Sequence, residues 1–149
     1  MIDTYGEILD DLSRTTTRIQ EMSEKYGNTP SPGTADDWGP SRILMHLTDV
    51  EKLYRGRMQL ILTQMTPYLK SANPAGSIDV FPQQFRPELE AFAMERGETI
   101  SLLMNLALKD WERTGIHDHF GELSVEDIAE QLIEHDNEHL AQMEAAFQH

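Results

Sequence analysis

Apolar residues in this chain recur every three to four positions, the period of helices that bury one face. No stretch alternates convincingly with the two-residue period of a half-buried strand. The first helical pattern covers residues 3 to 26, with Tyr5, Ile8, Leu9, Leu12, Thr16 and Ile19 as its inward stripe. "GNTPSPGTADDWGP" then breaks it with glycines and prolines. A second helix is predicted from Pro40, whose fixed φ suits a first helical turn, to about Thr66. Its face carries Ile43, His46, Val50, Leu53, Leu60 and Ile61. The third runs from Arg86 to Leu108 with Phe92, Arg96, Thr99, Leu103 and Leu106 inward. The fourth opens at "SVED", where Ser124 can cap the first turn and Asp127 suits the positive end of the dipole, and continues to about Phe147.

Four amphipathic helices predict an all-α fold, a four-helix bundle forming a single domain over residues 1 to 149. The segment between the second and third helices, "PYLKSANPAGSIDVFPQQF", far exceeds the ~2–8 residues of a bundle hairpin. It reads as a crossover along or across the bundle, so the connectivity is expected to be non-simple.

Composition narrows the chemistry. There is no cysteine, which excludes disulfides, thiolate nucleophiles and cysteine-based zinc sites. Twelve basic residues among 26 acidic ones, for a net charge of −14, make no phosphate-binding patch, so nucleic acid is not an expected partner. No apolar run approaches the ~20 residues of a membrane span, and "MIDTYGEILDD" lacks the layout of a signal peptide. A cytoplasmic protein without membrane attachment is expected.

Three histidines stand out against that background. In "LIEHDNEHLAQM", His135 and His139 are four apart and so share one helix face, on the same side as Val125, Ile128, Leu132 and Met143. His46 falls in the stripe of Ile43, Val50 and Leu53. One inward histidine is ordinarily a satisfied core residue, but three unpaired imidazoles would each cost free energy to bury. Neutral ring nitrogens meeting on a divalent cation would remove that cost, and three protein ligands leave a coordination position open. Either reading stands on these residues alone. The H-E-x-x-H zinc-protease pattern does not apply, because Asp136 occupies the place of its glutamate. The three histidines come to more similar heights if the second and fourth helices run antiparallel.

Three segments carry a family resemblance: "DDWGPSRILMHLTDVEKLYRGRM", "DWERTGIHDHFGELSVEDI" and "HDNEHLAQM". In their order and spacing the chain resembles the DinB-like superfamily over nearly its whole length. The resemblance implies a bundle of unusual connectivity and a divalent metal, zinc first with nickel or iron as alternatives, held by His46, His135 and His139. It also implies a small-molecule substrate. Similar members include thiol S-transferases using bacillithiol, mycothiol-dependent isomerases and proteins labelled metal-dependent hydrolases. Homodimers are common among them, so a homodimer is an expected assembly.

The remaining candidates have a bland reading beside the functional one. Arg57 and Arg96 could grip an anionic substrate or simply pair with acidic side chains between helices. Asp49, one turn after His46, could orient a ligand ring or bind the ion. His117 matches a position in the family segment, yet capping its loop would explain it equally well. Glu51 reads as solvated, Trp38 and Trp111 as packing plugs, and His149 as an uninformative terminus. The leading expectation is a metal-dependent enzyme, a transferase to a low-molecular-weight thiol or a hydrolase. Its alternative is a non-catalytic, stress-associated bundle stapled by the ion.

Overall fold

The computed structural model describes residues 3–72 and 80–148. The centre of the crossover and His149 lie outside those residues. Four long helices carry the fold: α1 (Thr4–Tyr26), α2 (Pro40–Thr63), α3 (Arg86–Met104) and α4 (Val125–Phe147). Their ends obey local chemistry. Asp3 accepts from the Gly6 amide at the start of α1, and Pro40 begins α2. At α4 the Ser124 hydroxyl accepts from the Asp127 amide at 3.0 Å, while the Asp127 carboxylate accepts from the Ser124 amide at 2.9 Å. That reciprocal box satisfies two first-turn donors.

Two helices stop earlier than their periodicity suggests. The second ends at Thr63 rather than Thr66, because Pro67 has no amide proton and restricts the residue before it; Thr66 takes a positive φ of 43°. The third ends at Met104 rather than Leu108, where the Asn105 side-chain amide donates back to the Ser101 carbonyl at 2.7 Å. A 3₁₀ turn, Leu108–Glu112, follows.

The strand-free expectation fails locally. A three-stranded sheet, β1 (Tyr68–Leu69), β2 (Thr114–His117) and β3 (Gly121–Ser124), lies beside the bundle in that spatial order. β1 pairs parallel with β2, and β2 with β3 antiparallel. Strands of two to four residues are too short to display alternation, which hid them. Gly115 lets β2 lie against the preceding segment, since a Cβ there would sit 2.9 Å from the Leu69 side chain and from the Pro67 carbonyl.

Contacts fix the arrangement of the helices. Both α1 and α2 pack extensively against α3 and α4, giving the cyclic order α1–α3–α2–α4. One core cluster joins Ile8 and Leu12 of α1, Met58 and Ile61 of α2, Leu103 of α3, and Val125 and Ile128 of α4. The other joins Ile19 and Met22, Ile43 and Leu44, Leu89 and Phe92, and Leu140 and Met143. So α1 and α4 point one way while α2 and α3 point the other. The α2–α3 connection must therefore return along the bundle, and α2 and α4 are antiparallel neighbours. Connectivity is non-simple, as the long crossover predicts.

Between the two apolar clusters lies a polar layer. Arg96 of α3, 1% exposed, donates from Nε and Nη2 to the Glu51 carboxylate at 2.8 Å and from Nη1 and Nη2 to Asp136 at 2.9 Å. Its Nη1 also donates to the Leu12 carbonyl, and the Thr15 hydroxyl donates to Asp136. All five guanidinium protons are thereby used. Burial alone would lower the arginine's pKa, but the hydrogen bonds and charges of Glu51 and Asp136 outweigh it and hold the group cationic. Of the two readings of Arg96, pairing between helices is the one the structure shows. Glu51 is not solvated, as expected from a stripe centred on His46, but 1% exposed. At ~100° per residue it shares the side of Leu44, Leu47 and Met58, and the buried arc of α2 is wide because it faces two neighbours.

Candidate metal centre

Antiparallel packing of α2 on α4 brings His46, near the start of one helix, beside His135 and His139, past the middle of the other. One nitrogen from each ring lies within 4.8 Å of the other two. The Nε2 atoms of His135 and His139 are 3.1 Å apart. Two nitrogens on one tetrahedral ion at ~2.0–2.1 Å would sit roughly 3.3 Å apart, so the pair needs little movement to share a cation. The rings are half-buried. They border the apolar stripe of α4 rather than occupy its centre, which runs through Leu132, Asp136, Leu140 and Met143.

The proton inventory favours a guest. His139 Nδ1 lies 2.7 Å from Gln142 Oε1; donation to that amide oxygen leaves the His139 Nε2 lone pair facing the cluster. His135 could donate from Nε2 to that lone pair, but its Nδ1 is then a buried acceptor without a partner. In the other tautomer two lone pairs oppose each other, a clash that a cation resolves. Gln142 holds His139 as outer-shell groups hold metal ligands, and sequence spacing had not singled it out. Gln142→Ala should weaken divalent-metal affinity about 10–100-fold without changing stoichiometry, by titration against a competing chelator.

Charge is arranged the same way. Burial, followed by the proximity of His139, His135 and Arg42, lowers the His46 pKa to about 4. Burial, then His139, lowers that of His135 to about 4. Both are therefore free bases at neutral pH, the form that ligates. Since the folded values lie below the ~6.5 of an unfolded chain, the unfolded state binds more protons between pH 4 and 6.5. Stability from this pair is complete above pH 6.5 and falls as pH drops toward 4. The urea midpoint of metal-free protein should decline across that window, and a His46→Phe variant should decline less steeply.

A cavity of about 260 Å³ adjoins the cluster. His46, Val50, Leu53, Tyr54 and Arg57 of α2 form one wall, with His135 of α4 beside it. Ser71 and Ala72 and the hairpin residues His117, His119 and Phe120 form the other. Of the sequence candidates, Arg57 and His117 thus line the cavity, whereas Arg96 sits in the core. Asp49 is half-buried near Glu88 of α3 and, among the described residues, does not join the histidine group. His117 caps its turn, Nδ1 accepting from the His119 and Phe120 amides at 3.0 and 3.1 Å. Trp38 does not merely plug an end: its ring lies 5.5 Å from His46 and 4.3 Å from the Arg42 guanidinium. Trp111 is a core residue stacked on Tyr5.

Comparison with known proteins agrees with the fold. The sequence profile of the DinB superfamily matches residues 8–143. Among solved structures, YfiT from Bacillus subtilis superposes with a TM-score of 0.77 at 15% identity, over 99% of this chain and 89% of that one. YfiT is described as a probable metal-dependent hydrolase with an unusual four-helix bundle topology. At that identity the likeness establishes the fold. No curated protein matches the chain by sequence. The chain belongs to the DinB superfamily.

Proposed function

We propose that this DinB-superfamily protein is a metal-dependent enzyme acting on a small molecule, with hydrolysis the reaction its site supports best. One observation carries the reading: three histidine nitrogens converge from two helices beside a cavity, so ligands come from one side and the other side is open. Closed four-ligand sites are structural, and three-ligand sites with access are catalytic. The description of YfiT points the same way.

His46, His135 and His139 would hold a divalent ion, zinc first and nickel or iron as alternatives. Bound there, such an ion supplies Lewis-acid polarisation and acidifies a nucleophile near neutral pH. The chain's own groups do the rest. Gln142 fixes the orientation of His139. Val50, Leu53 and Phe120 give the cavity apolar wall and limit water around the substrate. Tyr54, its ring 6.4 Å from that of His135, is a wall group able to exchange a proton beside the cluster. A low-molecular-weight thiol in place of water would make the same site a transferase.

The test is elemental analysis of protein purified without a histidine tag, followed by assays with each metal loaded. Ester, amide and phosphoester hydrolysis would be run beside transfer to bacillithiol, mycothiol and glutathione. Metal-dependent hydrolysis supports the reading; turnover only with a thiol assigns transfer instead. Stoichiometric metal with no turnover on any substrate leaves the non-catalytic staple. No stoichiometric metal overturns all three. Sedimentation in the same preparations tests the homodimer.

A further inference from the structure

Arg57 is a buried cation of this cavity that no carboxylate balances among the described residues. It is 7% exposed, its Nη2 donates to the Lys70 carbonyl at 3.2 Å, and its guanidinium lies 5.2 Å from the Tyr54 ring centre. Among the described residues its buried Nε has no partner and no acidic side chain is within ion-pair distance of it. Neighbouring arginines differ: Arg96 is matched by Glu51 and Asp136, and Arg55 by Glu95 and Glu98. In a chain rich in acidic residues, this guanidinium of the cavity wall has no carboxylate partner among the described residues. Arg42 also lacks an acidic partner among the described residues, but it is packed on Trp38 and is not on that wall. Desolvating a guanidinium without a counter-charge is costly, and a terminal oxyanion from a ligand offsets it with charge-assisted hydrogen bonds.

A second donor stands beside it. Because His117 Nδ1 accepts two amide protons, the ring of its neutral form carries its proton on Nε2. Burial and the nearby Arg57 charge keep that ring neutral, so the 3.3 Å approach of Asp118 to Nδ1 is not an ion pair. The Asp118 carboxylate is instead engaged by the amide and hydroxyl of Ser71.

Spacing adds a length. Arg57 follows His46 by eleven residues on α2, about 16 Å along the axis at ~1.5 Å per residue. Helical side chains lean toward the N-terminus, which brings the guanidinium back toward the histidines and leaves a gap on the order of 10 Å.

We infer that Arg57 and His117 form an oxyanion-binding end of the cavity, and that the substrate is an elongated small molecule with a terminal carboxylate or phosphate there and its reactive group at the three histidines. The oxyanion end stands without any metal; the placement of the reactive group rests on the function proposed above.

The experiment is an NMR titration of ¹⁵N-labelled, metal-free protein with 4-phenylbutyrate, phenyl phosphate and the neutral 4-phenylbutyramide. The Arg57 Nε–H and the amides of Ser71 and His117 to Phe120 are followed. At least one anion should give saturable shifts that weaken with added salt, while the amide gives none at equal concentration. The stronger anion identifies the headgroup as carboxylate or phosphate. Arg57→Met should lose at least tenfold in anion affinity, and Arg57→Lys should recover part of it, since an ammonium keeps the charge without the fork. Equal binding of the amide, undiminished binding by Arg57→Met, or no anion binding at millimolar concentration overturns the inference. If Arg57→Met does not fold, the anion-against-amide comparison on the unaltered protein still decides. The titration is repeated with metal loaded: shifts that then appear only at His46, His135 and His139 also overturn it. Failure of metal binding leaves the metal-free titration unchanged, so the two readings fail separately.

Discussion

His139→Ala should leave a folded protein that no longer purifies with stoichiometric metal. The substitution removes one of three donors and leaves two neutral imidazoles, His46 and His135, whose shared nitrogen cage is incomplete. Apparent binding energies of about 10–16 kcal/mol for structural zinc, divided over three or four ligands, put the loss of one at roughly 10²- to 10⁴-fold in affinity. That is a larger effect than the one expected of Gln142→Ala, which only orients the ring. His139 is half-buried at the border of the α4 stripe, so its loss opens no core cavity, and the thermal midpoint of metal-free protein should change little. Elemental analysis and thermal unfolding of the same preparation separate the two outcomes. Full metal occupancy in the variant would remove His139 from the site. A collapse of metal-free stability would instead give it the role of an ordinary packed histidine.

The largest loss of stability is expected from Glu51→Ala. Arg96 donates two of its five bonds to Glu51, at 1% exposure on both sides, and water cannot readily replace them. Breaking a buried pair by deleting one partner costs about 3–5 kcal/mol. For a chain of this size that is a fall in thermal midpoint of roughly 6–20 °C. The consequence reaches the site, because the same arginine holds Asp136, the residue after His135. Metal affinity should therefore fall along with stability. Replacing the charged trio Glu51, Arg96 and Asp136 together by apolar residues of similar volume should cost less stability than Glu51→Ala alone, since no charge is then left stranded. If Glu51→Ala unfolds within 2 °C of the unaltered protein, the layer is not the clamp its geometry describes.

Much of this molecule was legible from residue spacing. The helical period located all four helices, Pro40 and the Ser124–Asp127 box fixed two of their starts, and the four-residue separation of His135 and His139 put both rings on one face. A single stripe on α2 leaves Glu51 toward solvent, whereas a helix wedged between two neighbours buries a wide arc. Asp136 denies the protease pattern, and its spacing from Leu132 and Leu140 also places it in the core stripe. The hairpin went unseen because its strands are shorter than any periodic signal.

By itself, then, the sequence determined which residues lie on which face of each helix, because that follows from a rotation of ~100° per residue and from hydrophobicity alone. Which helix meets which was decided only in three dimensions. The order α1–α3–α2–α4 and the reversed direction of α2 against α4 bring His46 to His135 and His139, match Arg96 with two carboxylates, and leave Arg57 on the cavity wall without a carboxylate among the described residues. Each of these depends on contacts between segments some 40 to 90 residues apart in the chain, and a local pattern holds no information about the neighbour that will cover it.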